Sequence, residues 1–385
     1  MTSVASTWHQ PMTGRDPDEA HRAATPLELL FDLCFVVAIA QASGRLHHGI
    51  GEGHAGHAVL GYVVVFFAIW WAWMNFTWFA SAYDTDDVPY RLLVFVQIAG
   101  VLVLAAGVAR GLDGLDFRAI VAGFVLMRVG MVAQWLRAAR SHPEGRRTAL
   151  RYAGGLVLLQ VAWIGMLLLP HTLHLPAWAA LALGELAVPV WAERAAQTRW
   201  HPHHIAERYG LMTLIVLGES ILAATVAVQA AMEAGTAAPR LFAVAGGGLL
   251  ILFSMWWLYF SEQAHERLRG RRQAFVWGYG HLVIFAAAAA VGAGLAVVAD
   301  HAAGTAHIGR TAAGAAVVGP VSLYLLALWL VHLRHNRASG WRRYACPVLA
   351  VVLPAAIVLP GGIVIVGVAL AGLVAVASQT PTDDR

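Results

Sequence analysis

The chain has 385 residues, 59% of them hydrophobic and only 12% charged, with a net charge of +4 at pH 7. A soluble protein of this length carries about twice that charged fraction, so a soluble globular enzyme is excluded. Only two cysteines occur, Cys34 and Cys346, both in apolar runs, and they suggest no disulfide framework or cysteine-ligated metal site.

All 26 basic residues are arginines, spread over short polar segments and not gathered into a nucleic-acid patch. With abundant Ala, Gly and Val, the lack of lysine points to GC-rich bacterial coding. Residues 1–26 are polar and mixed in charge, and show no pattern of a cleaved leader. Twelve apolar runs follow, each near the roughly 20 residues needed to cross a bilayer. They are 27–46, 59–81, 90–110, 117–138, 150–169, 176–193, 205–229, 241–261, 275–299, 311–333, 344–360 and 362–378. The last two are separated by the "LPGG" turn at 359–362, and 379–385 form a polar tail. The expected fold is therefore an all-α polytopic membrane protein.

With the N-terminus inside, 20 arginines fall on inner segments and five on outer ones, and Arg128 lies within a span. The excess of Arg on one side predicts that both termini are cytoplasmic, in the inner membrane of a bacterium. The chain also shows a repeat. "LELLFDLCFVVAIAQ" opens the first half, and "HIAERYGLMTLIVLGES" opens a second run at the seventh span. Each is followed by a Trp-Trp helix, "WWAWMNFTWF" at 70–79 and "WWLYFSEQ" at 256–263. This predicts two similar six-helix halves, 27–199 and 200–378, an arrangement known in transporters.

Three blocks resemble the bacterial low temperature requirement A family. They are "ELLFDLCFVVAIAQ", "WWAWMNFTWFASAYDTDDVPYR" and "HIAERYGLMTLIVLGESIL". Within them stand Asn75, Asp84, Asp86, Asp87, Arg91, Glu207, Arg208, Gly218, Glu219 and Ser220. Leu30 departs conservatively from the second Phe expected there. The resemblance implies a multi-pass membrane protein associated with growth in the cold, and carries no substrate.

Acids inside a bilayer are expensive and face the bundle interior. Glu28 and Asp32, four apart, share one helix face. Either they cap that end and pair with Arg208 or Arg91, or they receive a proton or cation at the mouth of a pathway. Glu219 falls about 20 Å into its helix and is the candidate midplane site, with Gly218 beside it allowing close helix approach. Arg128 needs an acidic partner, Glu219 or Glu185. Asn75, Gln97, Gln134 and Gln160 are expected to hydrogen-bond between helices.

The Asp84, Asp86 and Asp87 cluster reads as a solvated turn before Pro89 sooner than a cation cage. The histidines at 47, 48, 54 and 57 and at 201, 203 and 204 lack the spacing of a zinc site. The 15 tryptophans suit interface belts and packing. No phosphate loop, nucleophile elbow or HExxH occurs, so no cofactor, no metal and no enzyme activity are expected. The expected partners are the bilayer and a small solute or ion. The function that fits best is a secondary transporter or permease, proton-coupled through Glu28, Asp32 and Glu219. The alternatives are an ion channel built from six-helix repeats, or a scaffold or intramembrane enzyme needed in the cold.

Overall fold

A computed structural model of the chain describes residues 8–16, 19, 22–233, 238–262, 268, 270–335 and 341–378. Arg267, Arg269, Arg337 and Arg385, which entered the arginine count, lie outside the described residues, as do Gln263 and the tail 379–385. The fold is all-α, 84% helix, with no strand among the described residues.

The helices are α1 Pro26–Gly51, α2 Ala55–Tyr83, α3 Val88–Gly114, α4 Arg118–Ser141, α5 Arg146–Met166 and α6 His174–Ala192. They continue with α7 Pro202–Glu233, α8 Ala238–Phe260, α9 Arg271–Ala303, α10 Arg310–Val331, α11 Arg342–Val352 and α12 Gly362–Ser378. Ten of the described helices are long and apolar enough to cross a membrane, which makes this a polytopic membrane protein. The eleventh expected span, 344–360, does not form one helix. α11 stops at Val352, and Leu353–Val358 continue as a 3₁₀ segment with Pro354 in its first turn. Proline has no N–H to extend the α-helical ladder, and eleven residues reach only about 16 Å.

Local sequence sets several helix ends. Thr25 and Glu28 bracket the start of α1. The Thr25 N–H donates to Glu28 Oε2 at 2.8 Å, and the Glu28 N–H lies 3.3 Å from Thr25 Oγ1. That is a reciprocal capping box, with Pro26 at the first helical position. Asp87 caps α3 by accepting from the Tyr90 N–H at 2.9 Å. Gly304, at φ +81°, closes α9 in the left-handed region.

The chain divides into two compact units. The first is Met1–Gln41 with Phe67–Tyr209, and the second is Ala42–Phe66 with Gly210–Arg385. The division falls inside α1, α2 and α7, where the sequence suggested a single break at 199–200.

Within the first unit α3 packs closely on α4. A Cβ on Gly100 would lie 2.6 Å from the Gly123 carbonyl, and one on Gly123 equally close to that of Gly100. Within the second unit α9 is buried along most of its length. It crosses α10 where a Cβ on Gly294 would collide with the Ala316 carbonyl. Small residues allow such approach, and dispersion over the crossing replaces the hydrophobic drive that lipid cannot supply. Large apolar side chains such as Leu158, Leu168, Phe242 and Phe253 face outward.

Candidate functional site

The first unit contains two buried polar clusters, and α2 supplies both. Successive residues step about 100° around a helix, so Trp71 and Trp73 point to nearly opposite faces. Each is extended by the residue four further on, Asn75 and Thr77 respectively.

On the Trp73 face lies a network of three acids. The Arg208 guanidinium grips Asp32 through two hydrogen bonds, Nε to Oδ2 at 2.9 Å and Nη2 to Oδ1 at 2.6 Å. Its Nη1 stands 3.0 Å from Glu28 Oε1. The Trp73 indole donates to Asp32 Oδ1 at 2.7 Å, and Arg208 Nη2 lies 3.4 Å from Thr77 Oγ1. His204, one helical turn before Arg208, places Nε2 3.2 Å from Glu28. Arg22 lies between Glu28 and Asp84, at 3.7 Å and 3.6 Å, and also donates to the carbonyls of Ala80 and Ser81. Arg208, Glu28 and His204 are 0% exposed and Asp32 1%, so none of them lines an open mouth.

The charges in this network do not balance. Glu28, Asp32 and Asp84 face two guanidiniums, Arg22 and Arg208. Neutrality needs one more proton, for which His204 and Asp84 are the acceptors. A buried net charge is strongly disfavoured, which favours a proton among these close pairs, while Arg15 and Asp86 also act on Asp84 from the edge of the network. Burial, and then Glu28, push the Asp84 carboxyl up to about 6, against the pull of Arg22.

The aspartates after α2 do not form a solvated turn or a cation cage. Each has its own arginine: Asp84 has Arg22, Asp86 a bidentate Arg91 at 2.8 Å, and Asp87 Arg137 at 2.6 Å. Burial alone would raise Asp87. Donors from Arg137 and the N–H groups of Gln10 and Tyr90 outweigh it and hold the carboxyl below its ordinary range. Arg91 is thus committed to Asp86 and Glu28 is served by Arg208. Among the described residues no group of three His, Cys, Asp or Glu is placed to hold a metal ion.

On the Trp71 face, Arg128 of α4 meets Glu185 of α6 at 2.8 Å. Glu185 also accepts from the indoles of Trp71 (2.8 Å) and Trp163 (3.1 Å). Arg128 Nη1 reaches Asn75 Oδ1 at 3.3 Å, and its guanidinium lies over the Phe124 ring. Beside this pair is an aromatic pocket of about 20 Å³ lined by Phe67, Trp71, Trp163 and Trp178, with room for about one water. Gln97 and Gln134 join α3 to α4 at 3.0 Å.

Glu219 belongs to the second unit and is 8% exposed. It makes no ion pair or hydrogen bond among the described residues, so Arg128 is not its partner. Gly218 beside it is not a contact point, since a Cβ there would meet nothing within 4 Å. The close approach is two residues on from Gly218, where Ser220 packs on Gly292 and donates to the Ala288 carbonyl at 3.1 Å. Glu207 lies outside the Arg208 network and is half-buried.

Sequence reasoning missed two sets of residues. Trp71, Trp73 and Trp163 act as hydrogen-bond donors to the buried acids, and the i, i+4 pairs of "WWAWMNFT" were the available signal. In the second unit His281 donates through Nδ1 to the Trp277 carbonyl (2.7 Å), which leaves Nε2 to accept from Tyr259 Oη (3.0 Å). His332 Nε2 stands 3.2 Å from the same atom. No spacing in the sequence brings these three together.

No solved structure matches the chain. An uncharacterized protein of Rhizobium meliloti (strain 1021) is 29% identical over 295 residues, covering 72% of this chain and 69% of its own. The "Bacterial low temperature requirement A protein (LtrA)" family matches residues 23–378, nearly the whole chain. With the three sequence blocks placed around one buried acid–arginine network and ten long apolar helices, the chain is a multi-pass membrane protein and belongs to the LtrA family.

Proposed function

We propose that the protein is a proton-coupled secondary transporter of the bacterial inner membrane. In this reading the ten long helices, the broken segment 342–358 and α12 together make twelve spans in two similar six-helix halves, with both termini cytoplasmic. The arginine asymmetry supports the orientation. The order of an acidic helix followed by a Trp-Trp helix, which occurs twice in the sequence, supports the repeat.

The observation that carries the reading is the charge count on the Trp73 face of α2: three buried carboxylates share two guanidiniums. Such a cluster takes up or gives off a proton whenever its pairing changes. α2 holds this cluster on one face and the Arg128–Glu185 pair on the other. A shift of α2 that repacks one cluster therefore alters the other, which links proton occupancy to a rearrangement of the bundle. The solute is a small molecule or ion, and Glu219 is a second proton-carrying candidate in its own unit.

The test is flux into liposomes holding the purified protein, screened over cations, anions and amino acids, with and without a pH gradient. Gradient-driven uptake is expected for the solute, and Asp84→Asn, which mimics the protonated acid, abolishes the coupling while the protein stays folded. Glu219→Gln reports separately on the second unit. Flux indifferent to the gradient, or unchanged in Asp84→Asn, overturns the proton-coupled reading. Rapid passive ion flux would put the channel in its place.

A further inference from the structure

The second unit contains a larger cavity, of about 450 Å³, between the first turns of α8, α10 and α12 and the last turns of α9. That volume is within the roughly 300–1,000 Å³ of small-molecule sites. Its walls are apolar, built from side chains such as Val298, Ile357 and Ile363. Three side chains interrupt them, Arg240, His301 and Arg310, and none of the described lining residues is acidic. Among the described residues neither arginine has an ion pair or hydrogen bond, while His301 is bonded through Nδ1 to the Ile308 carbonyl at 3.1 Å.

The backbone adds to the positive field. α10 starts at Arg310 and α12 at Gly362, so two helix N-termini border the cavity. Each presents N–H groups without intrahelical partners and the positive end of its dipole. The α12 end is brought in by a tight turn. Gly361 takes φ +70°, and a Cβ on Gly362 would collide with the Ala356 carbonyl. Two free guanidiniums over an apolar chamber are complementary to one kind of ligand, a molecule with an acidic head and an apolar body.

We propose that this cavity is a binding site for an anionic amphiphile. Arg240 and Arg310 hold its phosphate or carboxylate head by charge-assisted hydrogen bonds, and the apolar part lies along Val298, Ile357 and Ile363. The same chemistry has two sources, an acidic phospholipid from the bilayer and a free fatty carboxylate. Binding here is independent of transport and is measured without it.

The experiment uses full-length protein in a neutral detergent. Native mass spectrometry compares phosphatidylglycerol with phosphatidylcholine. Fluorescence titration compares dansyl-labelled undecanoic acid with the corresponding alcohol. The acidic member of at least one pair is expected to bind roughly tenfold or more tightly than its partner. Preference in the lipid pair alone names the bilayer as the source, and preference in the acid pair alone names a free carboxylate. The double variant Arg240→Ala/Arg310→Ala should erase the preference, and Arg240→Lys/Arg310→Lys should keep most of it. Ala302→Trp, which fills the cavity from α9, should weaken the acidic and the neutral ligand alike. Equal binding of acidic and neutral ligands by the native protein overturns the proposal. So does a preference that survives the double alanine variant, or binding untouched by Ala302→Trp.

Discussion

Arg208 is fully buried and is the only described cation touching both Glu28 and Asp32 through strong contacts, so its loss leaves two acids under-compensated. Removing one partner of a buried ion pair costs about 3–5 kcal/mol. Arg208→Met should therefore yield little monodisperse protein on size exclusion after detergent extraction, whereas substitution of the exposed Arg118 should not affect the yield. Asp84 gives a pH signature. Its folded pKa, about 6, is above the unfolded 3.8. A raised carboxylate pKa stabilises the fold fully below the unfolded value and loses that contribution as pH rises through the folded one. Thermal stability should fall from pH 4 to pH 7, by at most roughly 3 kcal/mol from this group. Asp84→Asn, neutral at every pH, should flatten that decline; an identical slope in the variant would remove Asp84 as its source.

At the scale of elements, α2 is a partition with a donor on each face. Trp73→Phe and Trp71→Phe retain the ring and remove the N–H that Asp32 and Glu185 accept. Each should lower stability by about 1–3 kcal/mol, the range for a buried group left short of a partner, with the fold retained. A shift in melting temperature of the purified variants measures it, and a neutral result would mean that the carboxylates find other donors. The α9–α10 crossing depends on shape alone. Gly294→Leu drives a side chain into the Ala316 backbone and should separate the helices, lowering melting temperature far more than Gly304→Ala at the exposed α9 end. The tryptophans of the "WWAWMNFT" string were read as packing because periodicity reports which residues share a face, and not what each face meets. The partners Asp32 and Glu185 come from α1 and α6, far away in the sequence.

At the scale of the whole molecule, the arginine distribution makes a test of topology. Reporter fusions at the N-terminus, at the loop carrying Glu144 and at the C-terminus should all report from the cytoplasm. An external signal from the Glu144 loop would invert the assignment. Membrane character and family were legible from composition and three blocks because both are written locally, in run length and in contiguous motifs. Ten of the twelve runs form helices long enough to cross a membrane; the eleventh is broken at Pro354, and the twelfth is the 17-residue α12.

What the sequence by itself determined was the helical, membrane-spanning class, the family and the residues unable to face lipid. Hydrocarbon leaves no other place for an acid or an arginine, so Glu28, Asp32, Arg128, Glu185 and Arg208 had to turn inward. Only the tertiary structure decided who meets whom. Arg128 could have served Glu219 or Glu185, and packing of α4 against α6 gave it Glu185. The aspartates of "DTDD" could have held a cation or faced solvent. The folds of the N-terminal segment and of α4 delivered Arg22 and Arg137, with Arg91 nearby, and turned the cluster into three separate pairs. Pairing depends on positions brought together from distant parts of the chain, and no local pattern encodes that.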